Sequence, residues 1–210
     1  FGIVRVGDVV AARNVSVTNS AAASALNDTL RASLSTASAG FSANGTASGL
    51  GAGQSNAPGS LTVGLNTASA GVFGGSAAVA FASHNPDMAD LALTPGSVTL
   101  QAQVNNLAHA IFGQSSGAGV LSASGNAYLL DLGNILQGST ALSSLLFLQN
   151  AVANPADALK GHFDLSNLVV FGDTGWNDPT GLAPGQMETG LELDFNPASL
   201  GLFQETLSFA

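Results

Sequence analysis

The 210-residue sequence contains no cysteine. This absence excludes disulfide bonds and thiolate chemistry, so a bound metal would need oxygen or histidine ligands. Long apolar runs are absent too, because no stretch approaches the ~18 residues that a membrane-spanning helix requires. The chain begins at Phe1 without a methionine or a signal segment, which favours a processed product or an excised fragment. We therefore predict a chain with no membrane span and no site that depends on cysteine.

Charged side chains are few, and the basic ones are fewest. Four Lys and Arg stand against 13 Asp and Glu, which gives a formal net charge of -9 and a pI near 4.2. Such a chain repels polyanions, which makes nucleic acid and an anionic membrane surface unlikely partners. Only 8% of the residues are charged, so Ser, Thr, Asn and Gln must supply most of the polar surface. That balance is typical of secreted bacterial proteins and predicts an extracellular or cell-surface location.

Aromatic residues make up only 6% of the sequence, although 46% of it is hydrophobic and 26 residues are glycine. Most apolar side chains are therefore small, which suits thin sheets better than large helices. One pattern occurs twice: a Gly-Leu-x-x-Gly-Gln segment at residues 49–54 precedes an alternating segment at 61–73, and both recur at 181–186 and 191–203. An internal repeat of this length indicates the number of domains before any single residue is interpreted. The sequence therefore predicts two related domains.

Alternating side chains predict strands at equivalent places in both copies. In the clearest pair, one face collects every second residue, namely Leu61, Val63 and Leu65 in the first copy and Leu191, Leu193 and Phe195 in the second. Further strands are predicted over residues 14–18, 30–35, 77–82 and 97–104, and over 127–131, 145–149, 159–164 and 206–210. A helix competes over residues 21–34, but Pro155 at the equivalent place in the second copy would break it. We predict a loop there, followed by a strand.

Short strands separated by frequent turns indicate antiparallel sandwiches. The predicted fold is all-β: two tandem immunoglobulin-like antiparallel β-sandwiches at residues 1–108 and 127–210, joined by a Gly/Ser-rich connector at 109–126. The first copy has no counterpart of the strand at 127–131. The second has none of the strand at 97–104, so it lacks its last strand. Because an incomplete sheet exposes unpaired backbone groups, we predict that each copy is completed by neighbouring sequence or another subunit, with a strand from the chain's own other end as the alternative.

A family resemblance follows from these motifs. The run Phe1-Gly2-x-Val4-x-Val6-Gly7 precedes a Val-rich strand that ends at Thr18-Asn19, and the Gly-Leu-x-x-Gly-Gln turn leads into Leu-Thr-Val-Gly-Leu-Asn-Thr. Together they resemble the choice-of-anchor D type of bacterial immunoglobulin-like repeat, over essentially the whole chain and twice. The resemblance implies a module of a large cell-surface or secreted protein, often adhesin-like. It implies no catalytic residues, because that family shares none.

One short segment matches the sequence pattern of a hydrolase motif. Gly113-Gln114-Ser115-Ser116-Gly117 satisfies G-x-S-x-G, and His109 is nearby in sequence. The motif works only where a strand precedes the serine and a helix follows it, so that a strained turn exposes the hydroxyl. Here Gly and Ser surround it, and such matches arise by chance in sequence of this composition. We predict no catalytic residue and no enzyme activity.

The loop from Asp173 to Asp178 is the main candidate for a ligand site. Asp173, Asn177 and Asp178 carry the oxygen ligands that Ca²⁺ prefers, and Trp176, the only tryptophan, can stack on a sugar face. The alternative is that Asp and Asn shape the turn through local hydrogen bonds and that Trp176 caps the end of the sandwich. The spacing also differs from the twelve-residue calcium loop.

A second loop presents the same choice. His84, Asp87 and Asp90 can collect a cation, or they can belong to a solvated turn. The leading prediction is a structural or adhesive module that assembles through exchanged or added edge strands, with neighbouring repeats or other copies of itself as partners and no cofactor. The alternative is a module that binds Ca²⁺ or host or matrix glycans through the loop of residues 173–178.

Overall fold

The structure is a computed structural model that describes residues 1–24, 26–166 and 168–210. These residues form strands, turns and bends without any helix, so the predicted all-β class is confirmed. No part of the described chain is therefore a helix able to cross a membrane. The chain divides into unit 1, Phe1–Asn105, and unit 2, Asn106–Ala210.

Unit 1 is built on one curled sheet. Its strands are β1 (Gly2–Arg5), β2 (Arg13–Asn14), β3 (Thr29–Ala37), β4 (Phe41–Leu50), β5 (Leu61–Leu65), β6 (Gly71–His84) and β7 (Leu91–Asn105). They lie in the order β1-β7-β6-β3-β4-β5-β2, with β1 parallel to β7 and every other pair antiparallel. The sheet curls into a half-barrel, and its two ends approach each other where the N–H of Gly7, after β1, donates to the carbonyl of Thr67, after β5. A gap in this half-barrel therefore lies between β2 on one side and β1 and β7 on the other.

Four of the five strands predicted for the first copy lie within these elements, whereas the one predicted over residues 14–18 shares only Asn14 with β2. β5 spans the predicted residues 61–65, while β3, β6 and β7 extend those predicted at 30–35, 77–82 and 97–104. The competing helix over residues 21–34 is not formed at its C-terminal half, where Thr29 begins β3. Ala25, within that stretch, lies outside the described residues.

The core of unit 1 consists of every second side chain of the curled sheet. Leu61 and Val63 are buried on the inner face of β5, as the alternation predicts. Val15 and Val17 continue the same pattern beyond β2. The remaining members of the cluster are Ala32, Leu34, Ala47, Leu50, Ala77, Val79 and Leu100. Alanine and valine supply seven of these eleven side chains and leucine the other four, so aliphatic side chains fill the core.

Unit 2 contains three small sheets. Its strands are β8 (Ala110–Gly117), β9 (Val120–Ser124), β10 (Ala127–Asp131), β11 (Leu142–Asn150), β12 (Phe163–Asp164), β13 (Phe171–Thr174), β14 (Met187–Phe195) and β15 (Ser208–Phe209). They form the sheet β13-β14-β11-β8, the pair β12-β15 and the hairpin β9-β10. Leu191 and Phe195 are buried, and Leu193 packs against the same core.

The region predicted as a connector is part of unit 2. Residues 109–126 contain β8 and β9, and β8 pairs with β11 from Asn150 opposite Ala110 to Ser144 opposite Gly117. The Gly and Ser residues of this segment resemble a linker in composition. They form a strand because β11 supplies backbone partners on both sides of one irregularity between Leu145 and Leu146, and because Phe112 packs against the core.

Three strand pairings of unit 1 recur in unit 2 at a nearly constant offset, whereas the pairing of β3 with β4 has no counterpart among the described residues. Three cross-strand pairs of unit 1 each have a counterpart about 130 residues later. Arg13–Val63 corresponds to Ser144–Leu193, Phe41–Leu65 to Phe171–Phe195, and Ala32–Phe81 to Phe163–Phe209. In this comparison β2, β4, β5, β3 and β6 correspond to β11, β13, β14, β12 and β15. Each unit also has strands that the other lacks among the described residues: β1 and β7 in unit 1, and β8, β9 and β10 in unit 2.

A close approach of two strands recurs as well. Gly45 and Gly175 have φ of +116° and +78°, and a Cβ on either would overlap a carbonyl oxygen, that of Ser60 or that of Gly190. Only glycine has both the left-handed conformation and the space that this contact requires. The two glycines therefore allow β4 to approach the start of β5 and the end of β13 to approach β14.

Candidate functional site

The residues predicted to bind a metal surround the end of β13 but do not converge. Asp173 lies in β13, Asn177 and Asp178 follow it, and all three are exposed. The N–H of Asn177 donates to the carbonyl of Gly175 at 2.9 Å, within its own turn. Asp178 is engaged elsewhere, as described next. Within residues 1–24, 26–166 and 168–210, no group of three acidic, histidine or cysteine side chains is arranged to hold a metal ion.

Asp178 forms an ion pair with His162. Its carboxylate accepts a 2.7 Å hydrogen bond from Nδ1 of His162 and a 2.8 Å bond from the backbone N–H of Phe163. The bond from His162, followed by that from Phe163, lowers the pKa of Asp178, and the same pairing raises the pKa of His162 above its ordinary value. The contact therefore joins the start of β12 to the loop after β13, and it engages both oxygens of the carboxylate.

Trp176 is part of the packing of unit 2. Its indole N–H donates to the carbonyl of Glu192 at 2.8 Å. Its ring meets Phe163 edge-on at a centroid distance of 5.1 Å and lies 6.4 Å from Phe112. Such edge-to-face contacts stabilise aromatic clusters beyond their buried area. The indole is half-buried and holds the loop against β14 and the core.

In the loop after β6, the structure brings together two of the three predicted residues and adds an arginine. Nδ1 of His84 and Asp90 are 2.7 Å apart, and the guanidinium of Arg31 donates to Asp90 at 2.7 Å. Asp87 is held separately, through its backbone N–H on Asn85. The hydrogen bond to His84 and the charge of Arg31 lower the pKa of Asp90. Arg31 thus already neutralises the carboxylate that a cation would need.

The G-x-S-x-G segment lies inside β8. Ser115 donates to the carbonyl of Leu145 on β11 at 3.0 Å, so its hydroxyl is part of the sheet edge. The Gln114 amide donates to Ser144 Oγ at 2.9 Å and accepts from the N–H of Leu121 at 3.2 Å. A nucleophile elbow requires a turn between a strand and a helix, and here the serine lies within a strand.

A buried asparagine explains the repeated Gly-Leu-x-x-Gly-Gln turn. Asn19 exchanges backbone hydrogen bonds with Gln54 and Gly53, and its Nδ2 donates to the carbonyl of Leu50 at 2.8 Å. Asn150 makes the same three contacts with the residues Gln186, Gly185 and Leu182. In both turns the glutamine Oε1 also accepts an N–H from within the turn, that of Gly51 or Ala183. Sequence reasoning found the turn and the recurring Asn but not their contact.

Two strands of the sheets, β2 and β15, have an open edge. Among the described residues β2 pairs only with β5, and β15 pairs only with β12. Their counterparts differ: β11 also pairs with β8, and β6 also pairs with β7. By this correspondence, the open side of β2 matches the side of β11 that β8 occupies, and the open side of β15 matches the side of β6 that β7 occupies.

Two grooves lie along the open side of residues 13–19. The β2 groove, of about 210 Å³, is lined by Phe1, Arg13, Val15, Val63, Val98 and Leu100, among others. The Asn19 groove, of about 310 Å³, is lined by Asn19, Leu26, Asp28, Leu30, Ser83 and Leu93, among others. In each groove about half of the lining residues are apolar and the rest are polar.

The comparisons with known proteins add no identification. No known protein family matches this chain, and no curated protein matches it significantly.

Proposed function

We propose that this protein is a structural or adhesive module of a bacterial extracellular or cell-surface protein. In this proposal units 1 and 2 are two copies of one immunoglobulin-like repeat, and they join to other copies through their open sheet edges. The matching registers of β2–β5 with β11–β14, and of β4–β5 with β13–β14, support the common origin.

The observation that carries the proposal is the complementary set of strands. In the described part of the chain, unit 1 has β7 beside β6 but no strand beyond β2, whereas unit 2 has β8 beside β11 but no strand beyond β15. Open edges present rows of backbone donors and acceptors, and proteins use such edges to add a strand from a partner. Each unit therefore offers an edge that a strand type already present in this chain can fill.

The setting rests on composition and resemblance. A surface of Ser, Thr, Asn and Gln with only 8% charged residues fits an extracellular protein, and the net charge of -9 opposes binding to nucleic acid. The likeness to choice-of-anchor D repeats supports a place in a longer surface protein. The loop of residues 173–178 offers less support for Ca²⁺ or glycan binding, because Asp178 and Trp176 are engaged with His162 and Glu192.

Sedimentation velocity of the 210-residue chain over a wide range of concentrations tests the assembly. We expect larger species to grow with concentration and to decrease in a variant with Ser16→Lys and Ser208→Lys, since lysine on an exposed edge strand blocks pairing. The matched control is Ser16→Thr with Ser208→Thr. The lysines make the net charge less negative, so lost assembly could not come from stronger repulsion between copies.

A chain that stays monomeric at every concentration would contradict assembly through its own edges. The same is true if the lysine and threonine variants assemble equally well.

A further inference from the structure

The backbone beyond β2 has one bonded side and one open side. The N–H groups of Val15 and Asn19 bond to Leu61 and Gln54, and that of Val17 bonds to Asn56 Oδ1, all toward the β5 side. Because backbone groups alternate in direction along a strand, the N–H and C=O groups of Ser16 and Thr18 point to the other side. That side faces the gap in the wall of unit 1.

Unit 2 shows what occupies the same position there. β8 runs antiparallel to β11, with Phe112 opposite Leu148 and Gln114 opposite Leu146. Leu148 and Leu146 correspond to Val17 and Val15. On the inner face of this strand Ala108, Ala110 and Phe112 pack against the core of unit 2. The occupant is thus an extended strand with two small inward residues, followed by an aromatic one.

The buried asparagines show the effect of the added strand. In unit 2, Oδ1 of Asn150 accepts from the N–H of His109, which leads into β8, at 3.0 Å. In unit 1, Oδ1 of Asn19 accepts instead from Ala21, two residues away, at 3.1 Å. Asn150 is fully buried, whereas Asn19 keeps 8% exposure. The outward side chains of the two corresponding segments also differ in exposure. Those at positions 145, 147 and 149 in unit 2 are half-buried, whereas those at positions 14, 16 and 18 in unit 1 are exposed.

We propose that the open edge of residues 13–19 is an acceptor site for an extended polypeptide strand with the inward pattern of Ala108, Ala110 and Phe112, supplied by a partner polypeptide. The strand runs antiparallel to β2 and takes the place that β8 has on β11. This inference deepens the proposed function, on which it rests, by naming one edge and the chemistry of its occupant.

Three contacts recognise the strand. The backbone of Ser16 and Thr18 supplies hydrogen bonds in the register of the β8–β11 pair. Val15 and Val17, each 9% exposed, lie opposite its inward side chains. The β2 groove and the Asn19 groove lie at the two ends of its path, and a bound strand would cover the apolar side chains in both, such as Val98 and Leu100 in the first and Leu30 and Leu93 in the second.

The test measures binding of a fluorescein-labelled peptide with the sequence of residues 107–119 to the full 210-residue chain by fluorescence anisotropy. We expect saturable binding, weakened roughly tenfold or more when the peptide carries serine in place of Phe112, since a buried aromatic side chain contributes at least that much. In the chain, Ser16→Pro removes the outward N–H and should also weaken binding about tenfold or more, while Ser16→Ala should not.

Hydrogen exchange on the unmodified chain locates the peptide even if Ser16→Pro fails to fold. The expected result is new protection at the amides of Ser16 and Thr18. Protection confined to residues 145–149, or binding that is equal for Ser16→Pro and Ser16→Ala, would place the peptide on β11 by exchange with β8 and overturn the proposal. Absence of binding would overturn it as well, and so would self-association through this edge that the peptide cannot compete with.

The two proposals fail separately. If the peptide does not bind but Ser208→Lys still reduces assembly, the acceptor site is wrong and the module function stands. If the peptide binds to a chain that never assembles, the acceptor site stands and assembly through the chain's own edges is wrong.

Discussion

Replacing Asn150 by alanine should destabilise unit 2 by a predictable amount. The side chain is fully buried and makes three hydrogen bonds of 3.0 Å, from Nδ2 to the carbonyls of Asp157 and Leu182 and from the N–H of His109 to Oδ1. A net contribution of about 1 kcal/mol for each bond gives roughly 3 kcal/mol, and more if the released backbone groups stay dry. A domain of this size has a total stability of about 5–15 kcal/mol, so the loss is large.

The assay is urea unfolding followed by tryptophan fluorescence. Trp176 is the only tryptophan and belongs to the core of unit 2, so its signal reports on that unit. With an m-value of about 1–3 kcal/mol/M, Asn150→Ala should lower the midpoint by roughly 1–3 M urea. The control is Asn177→Ala, because that exposed side chain makes only a 3.4 Å contact.

Equal midpoints for Asn150→Ala and Asn177→Ala would refute the reasoning, since they would show that the three bonds contribute no net stability. Hydrogen exchange provides a second check. The amide of His109 should lose protection in the Asn150 variant, because its acceptor has been removed.

Three further predictions concern the same unit and the same fluorescence signal. Leu191→Ala should cost about 2–5 kcal/mol, because the side chain is fully buried and its removal leaves a cavity; the urea midpoint measures the loss. Gly175→Ala should lower the midpoint more than Gly185→Ala: both glycines have positive φ, but only at Gly175 would the new Cβ overlap a carbonyl, and equal effects would contradict this contact. Burial raises the pKa of Glu205, but hydrogen bonds from the N–H groups of residues 169–171 outweigh this effect and hold the pKa below the ordinary value. The stability that the ionised carboxylate contributes is therefore present above pH 4.5 and is lost as the pH falls through the folded pKa. Glu205→Gln should therefore lower the midpoint at pH 7, and its effect should shrink as the pH falls through the folded pKa, whereas an effect that does not change with pH would argue against the carboxylate.

The sequence predicted the positions of the strands better than it predicted which strands pair with each other. The alternation of Leu61, Val63 and Leu65 was sufficient to place β5 between its correct ends, because side-chain direction in a strand depends only on position along it. Residues 109–126 were assigned to a connector, because their Gly and Ser residues carry no periodic signal. Their strand character depends on β11, more than 20 residues further along the chain.

For the candidate sites as well, the sequence identified residues of interest but not the distant residues that contact them. From the sequence, His84, Asp87 and Asp90 fit either a cation site or a solvated turn, but Arg31, 59 residues from Asp90, bonds to the Asp90 carboxylate. Local sequence cannot reveal such a partner, since β3 and β6 bring the two together. Trp176 was recognised as unusual, yet its contacts with Phe163 and Glu192 depend on three separate strands and loops.

The sequence by itself determined the all-β class, the inner faces of the strands and the recurrence of one pattern along the chain. These are local properties, because each follows from the order of apolar and polar side chains. Only the tertiary structure decided which strands are neighbours and which edges remain open. Pairing is decided by the sum of many backbone bonds and packed side chains between distant segments, so the vacancy beside β2 becomes visible only when β8 is seen beside β11.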